Sequence, residues 1–114
     1  MPQRYKERSG YRTMWMMALF DLPVLTKAER KKASDFRNML LDEGFLMMQL
    51  SCYIRYASGK EQADALAAKI GGKIPVGGKV DILFFTDKQY GMIKTYRGST
   101  LIERAKKPDQ LQLF

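Results

Sequence analysis

The stretch Thr13-Met14-Trp15-Met16-Met17-Ala18-Leu19-Phe20-Asp21-Leu22-Pro23 constrains the fold more than any other part of the chain. An unbroken apolar run, Met14 to Phe20, leads directly into a carboxylate and then a proline. The run is too short and too tightly bounded for a long helix, and its length suits a strand that is apolar on both faces. Pro23 cannot donate to a sheet ladder and biases Leu22 towards extended backbone, so the strand stops near Asp21. A carboxylate at the rim of a buried strand is rigidly placed, as a site residue must be. A polar strand end beside a turn would leave the same trace, so this feature alone does not assign a site.

The 114 residues suit one domain with a modest core. Lys and Arg number 20 against 12 Asp and Glu, a net charge of +8, which favours a polyanionic partner such as nucleic acid or an anionic membrane. A single cysteine, Cys52, excludes an internal disulfide framework and fits a cytosolic chain. Arg4, Lys6, Arg8 and Arg12 followed by Met14 to Phe20 imitate a signal peptide. Asp21-Leu22-Pro23 interrupts the apolar run, however, and no small-x-small cleavage site follows. No stretch approaches membrane-spanning length, so the expectation is a cytoplasmic protein with no membrane partner.

Residues 1–12 are polar and basic and predict a flexible arm. Thr26-Lys27-Ala28-Glu29 is a capping box opening a helix to about Glu43, with Gly44 as the left-handed stop. Its apolar stripe is Ala33, Phe36, Met39 and Leu40, and Lys27, Arg30, Lys31 and Arg37 fall on a flank away from it. Residues 45–56 alternate without a break and predict one long strand. Leu46, Met48, Leu50, Cys52, Ile54 and Tyr56 form the expected core face. Phe45, Met47, Gln49, Ser51, Tyr53 and Arg55 form a mixed face suited to meeting a partner.

A second capping box, Ser58-Gly59-Lys60-Glu61, predicts a helix with the stripe Ala63, Leu66, Ala67 and Ile70, ended by Gly71-Gly72. A Gly-Pro-Gly loop then precedes a strand at Lys79 to Thr86, apolar on both faces. Met92 to Tyr96 and Thr100 to Ile102 are shorter strand candidates. After Pro108, Gln110 to Phe114 alternates like an edge strand.

Two helices alone can pack on one face of a small antiparallel sheet, the α+β layering of a ferredoxin-like unit. The opposite face would then be open, although two of its strands are apolar on both sides. Each large apolar side chain left wet forgoes about 1.5–3 kcal/mol. The chain has little spare length to cover that face, so we expect a homodimer packed sheet to sheet about a two-fold axis. Gln49, Ser51 and Tyr53 are expected at its interface.

The chain has no histidine, which excludes His-based catalysis and His-ligated metals. Cys52, on an apolar strand face, reads as a buried inert thiol. No Walker loop or dinucleotide fingerprint is present. A hard metal ion on carboxylate oxygen is the remaining chemistry. Mg²⁺ needs one or two carboxylates with water and phosphate oxygens, and a two-fold axis would double Asp21. Lys27, Arg30, Lys31 and Arg37 are candidate phosphate contacts, since such contacts give non-specific, salt-sensitive nucleic-acid binding. Tyr5, Tyr11, Tyr90 and Tyr96 read as packing residues.

Together these residues resemble the small CRISPR-associated "Cas-two" proteins, partners of the Cas-one integrase in spacer acquisition. The match rests on Phe20-Asp21 ending an apolar first strand, a basic helix ending in Gly44-Phe45, Gln49-x-Ser51-x-Tyr53, and Val80-Asp81-Ile82-Leu83-Phe84-Phe85-Thr86-Asp87. It covers about residues 13–97. The resemblance implies a ferredoxin-like βαββαβ sandwich over residues 13–104 with an extra C-terminal strand in the tail, 105–114, forming a two-fold homodimer. It further implies catalytic, metal-holding Asp21 residues, one from each subunit, with Mg²⁺ or Mn²⁺ as cofactor and endonuclease activity on RNA or DNA. Such a protein acts in CRISPR adaptation as a dimeric bridge between Cas-one dimers that holds double-stranded protospacer DNA. Phe20 stands where a tyrosine is common in the family, and Met47 where some nuclease-active members carry a basic residue. A catalytically inactive DNA-binding scaffold and a ferredoxin-like RNA-binding module are the alternative readings.

Overall fold

The first strand, β1, runs Met14–Asp21 and lies inside the sheet, with neighbours on both sides. Its central place follows from its composition, because only a strand covered on both faces can bury Trp15 and Met16 completely. The computed structural model describes residues 14–98 and 100–102; the expected arm at 1–12 and tail strand at 105–114 lie outside them. The described elements continue with α1 (Lys27–Asp42), β2 (Leu46–Gln49), β3 (Cys52–Ala57), α2 (Lys60–Gly71), β4 (Lys79–Thr86), α3 (Asp87–Gly91), β5 (Thr95–Arg97) and β6 (Thr100–Ile102). The main sheet has the order β2-β3-β1-β4 and is antiparallel throughout; β5 and β6 pair separately as a small hairpin. This is the ferredoxin-like α+β architecture.

The α1 capping box forms in full: Glu29 N–H donates to Thr26 Oγ1 (3.0 Å), and Thr26 N–H donates to Glu29 Oε1 (2.9 Å). Gly44 follows the helix with φ +93°, and a Cβ there would come within 2.9 Å of Arg55 Nε. The expected second capping box does not form. The N-cap of α2 is Gly59, and Ser58 instead donates through its amide (2.8 Å) and hydroxyl (3.0 Å) to Gln62 Oε1. Gly59 has no side chain to offer, so the cap shifts to the neighbouring amide.

Residues 45–56 are not one strand. A turn at Leu50-Ser51 folds them into the hairpin β2–β3, with Leu46 opposite Ile54 and Met47 opposite Tyr53. Leu46–Ile54 and Met47–Tyr53 share parity, so Met47 and Tyr53 lie on one face, but beyond them Gln49 comes opposite Cys52 and changes to the open face. A bulge between Met47 and Gln49 absorbs the register shift. The face assignment also reverses. Phe45 and Tyr53 are buried in the main core, whereas Leu46 and Leu50 are exposed and Ile54 belongs to the opposite face.

The main core lies between the sheet and the two long helices. Met14, Met16, Ala18 and Phe20 of β1 meet Phe36 and Leu40 of α1 and Ala63 and Ile70 of α2. Phe20 sits edge-on to Phe36, with ring centroids 5.2 Å apart. At the base of α1, Glu43 pairs with Lys69 of α2 at 2.5 Å. The hydrogen bond from Lys69 holds the Glu43 carboxyl below its ordinary value of 4.5, aided by attraction to Lys69, Arg55 and Lys73. A lowered carboxyl pKa contributes stability above pH 4.5, lost as pH falls through the folded-state value. In urea titrations, Glu43→Gln should therefore lower the midpoint at neutral pH, and the deficit should close below pH 4.5.

On the opposite face a second cluster forms around Trp15. The ring of Tyr90 stacks on it at 3.8 Å, Tyr56 meets it edge-on at 4.8 Å, and Trp15 Nε1 donates to Asp87 Oδ1 at 3.0 Å. The covering element is α3, opened by the capping box Thr86-Asp87-Lys88-Gln89. The chain thus covers one end of this face internally, contrary to the expectation that it lacks the length to do so. The remainder stays open, with Leu19, Leu46 and Leu83 38–45% exposed.

Candidate active site

Asp21 ends β1 on this open face. Backbone register puts Leu19 opposite Asp81 and Asp21 opposite Lys79, so these four side chains share one side of the sheet. Towards β3, Phe20 N–H donates to the Ser51 carbonyl at 3.0 Å, which ties the hairpin turn beside Asp21. The carboxylate is exposed while Phe20, next to it, is buried among the core rings. A fixed backbone therefore presents a free acidic group.

These residues line an open groove of about 350 Å³ formed by Leu19, Phe20, Asp21, Gln49, Ser51, Cys52, Lys79 and Asp81. Its polar groups are carboxylate, amide and hydroxyl oxygens with one ammonium. Lys79 Nζ lies 3.3 Å from Asp81 Oδ2. Cys52 is buried, as an inert thiol would be. Hard oxygen donors of this kind fit Mg²⁺, which is content with one or two carboxylates and water. Among the described residues no group of three or more His, Cys, Asp or Glu could enclose a metal. Any site in one protomer is thus partial and open.

The other expected site residues are distributed as follows. Gln49 and Ser51 are exposed at the groove, next to Asp21. Tyr53, expected at an interface, is 3% exposed and lies under the helices against Phe20, at a ring distance of 5.5 Å. Its position opposite Ala18 dictates this, because Ala18 faces the helices. Lys27, Arg30 and Lys31 are exposed on α1, and Arg37 is half-buried. Arg30 turns back to donate to the carbonyls of Val24 and Leu25, both at 3.1 Å, and Lys31 pairs with Asp35 at 3.2 Å. Asp81 and Lys79 were missed as members of the site, because their proximity to Asp21 comes from cross-strand register. Tyr90 packs in the Trp15 cluster, and Tyr96 is exposed. Tyr5 and Tyr11 lie outside the described residues. No helix among the described residues is long and apolar enough to cross a membrane.

Comparison with known proteins yields a consistent set of matches. The sequence profile of the family described as "CRISPR associated protein Cas2" matches residues 14–93. A "CRISPR-associated endoribonuclease Cas2" of Paracidovorax avenae is 50% identical over 106 residues, covering 93% of this chain and 98% of that protein. The protein of the same name from Flavobacterium psychrophilum is 41% identical over 98% of this chain and 97% of its own. That from Parvibaculum lavamentivorans is 43% identical over 89% of this chain and its own full length. The profile match and these near full-length similarities, on a ferredoxin-like fold with an acidic residue ending the first strand, establish that the chain belongs to the CRISPR-associated Cas2 family.

Proposed function

We propose that the protein is a homodimeric, metal-dependent endoribonuclease whose two Asp21 residues meet at the interface. The observation that carries this reading is the exposed Asp21 carboxylate at the edge of a sheet face that is apolar and uncovered in the single chain. Burying Leu19, Leu46 and Leu83 against a second copy is favourable by the usual measure of apolar area, and the same contact brings the Asp21 grooves together. The names of the relatives support RNA as the substrate.

Asp21 of each subunit would hold Mg²⁺ or Mn²⁺, with Ser51, Gln49 and Asp81 supplying further oxygen atoms to its water shell. When bound, such an ion polarises a phosphodiester and lowers the pKa of coordinated water. The chain itself contributes a fixed carboxylate, an apolar wall from Leu19, and an ammonium at Lys79. Cleavage of RNA by the purified chain, with and without the Asp21 carboxylate, tests this reading.

A second reading has its own support in the exposed basic flank of α1. There the dimer bridges Cas-one integrase dimers in spacer acquisition and holds duplex DNA through Lys27, Arg30, Lys31 and Arg37. Arg30 also braces the loop before α1, so Lys27, Lys31 and Arg37 are the cleaner probes. Reversing those three to Glu should weaken duplex binding and lower the slope of log affinity against log salt by about 0.9 for each phosphate no longer neutralised. Unchanged affinity would remove this surface from the account. A stacking platform for RNA bases on the sheet is disfavoured, because Trp15 and Tyr90 are buried against each other.

A further inference from the structure

The Asp21 groove contains a cation that the metal-site reading does not use. Lys79 is the cross-strand partner of Asp21, and directly opposed side chains stand about 4.5–5.5 Å apart at Cβ. It is the one cation among the described residues lining the groove. Its ammonium rests against Asp81, two residues along β4 on the same face, at 3.3 Å. Both side chains remain open to solvent, 74% and 60% exposed. Exposed pairs of this kind are worth about 0–1 kcal/mol, so an incoming anion can take the ammonium from Asp81 at small cost.

A phosphodiester oxygen is such an anion, and lysine meets it as a compact point charge with three donors. Charge balance favours the same assignment. Asp21 and Asp81 with Lys79 leave the groove of one protomer at net negative charge, suited to a cation but hostile to bare RNA. Among the groove's own side chains, only Lys79 opposes the repulsion of the backbone by two carboxylates. Resting on the reading of Asp21 as the centre of a phosphodiester site, we infer that Lys79 is the residue that grips the substrate phosphate in that groove. Asp81 is the resting place of its ammonium.

The test is equilibrium binding of a labelled single-stranded RNA oligonucleotide across a salt series, in the Asp21→Asn background where the proposed cleavage is silent. Lys79→Gln should weaken binding about tenfold, as expected for removing one charge-assisted hydrogen bond. It should also lower the salt slope by about 0.7 per phosphate released. Lys79→Arg should keep the slope. Lys73→Gln makes the same change in net charge outside the groove and should leave both affinity and slope as they were. Equal affinity and slope for Lys79→Gln and its parent would overturn the assignment, as would an equal loss in Lys73→Gln. Loss of cleavage on removing Asp21 is read separately, in the chain that keeps Lys79. Failure of the Asp21 reading therefore shows as persistent cleavage, and failure of the Lys79 assignment as unchanged RNA binding.

Discussion

Asp21→Asn should reduce Mg²⁺-dependent RNA cleavage at least about 100-fold, since even the groups that merely orient metal ligands cost 10- to 100-fold when removed. The chain should remain folded, because Asp21 is exposed at the end of its strand and the substitution preserves shape. The assay needs protein freed of contaminating nuclease and a matched far-UV circular dichroism spectrum for the variant. Residual cleavage at the parental rate would show that Asp21 is not the catalyst. It would favour the scaffold reading, in which the carboxylate only ends a strand. In the wild-type chain, chelation of divalent metal should stop cleavage, and Mg²⁺ or Mn²⁺ should restore it.

The largest stability effect is expected at Trp15. Trp15→Ala removes a completely buried indole from between Tyr90, Tyr56 and Ile54, and Phe or Trp to Ala changes in cores cost about 3–5 kcal/mol. A domain of this size has a total stability of about 5–15 kcal/mol, so the variant stands near the edge of folding. Trp15→Phe keeps a ring in the stack but loses the Nε1–H donor to Asp87, a hydrogen bond to a charged group worth about 1.5–3 kcal/mol. Urea unfolding checks the order: wild type, then Trp15→Phe, then Trp15→Ala. An alanine variant with an unchanged midpoint would mean that α3 does not seal this end of the sheet.

Much of the fold was legible because its signals are local. The Met14–Phe20 run, the stop at Pro23, the Thr26–Glu29 capping box and the largely apolar run from Val80 to Phe85 each concern neighbouring residues, and β1, α1 and β4 follow from them. The hairpin was hidden because the pairs Leu46–Ile54 and Met47–Tyr53 on either side of its turn share parity, so most of the alternation at 45–56 reads the same folded or straight, and only the bulge before Gln49 departs from it. That concealment also reversed the faces: Tyr53 joins the main core because Ala18 lies opposite it, a fact of register. The signal for α3 was present in Thr86-Asp87-Lys88-Gln89, a capping box at the end of a strand, but the strand's own apolar run masked it. Of the candidate site, Asp21 was visible from its strand end. Lys79 and Asp81 were not, since only the pairing of β1 with β4 brings them beside it.

The central claim is that a second copy of the chain covers the open face bearing Leu19, Leu46 and Leu83, and thereby joins two Asp21 grooves. Its most direct test is the solution mass by sedimentation equilibrium, at dilutions where circular dichroism shows the chain still folded. The account predicts twice the 13.2 kDa of one chain. A folded species of 13.2 kDa would contradict it.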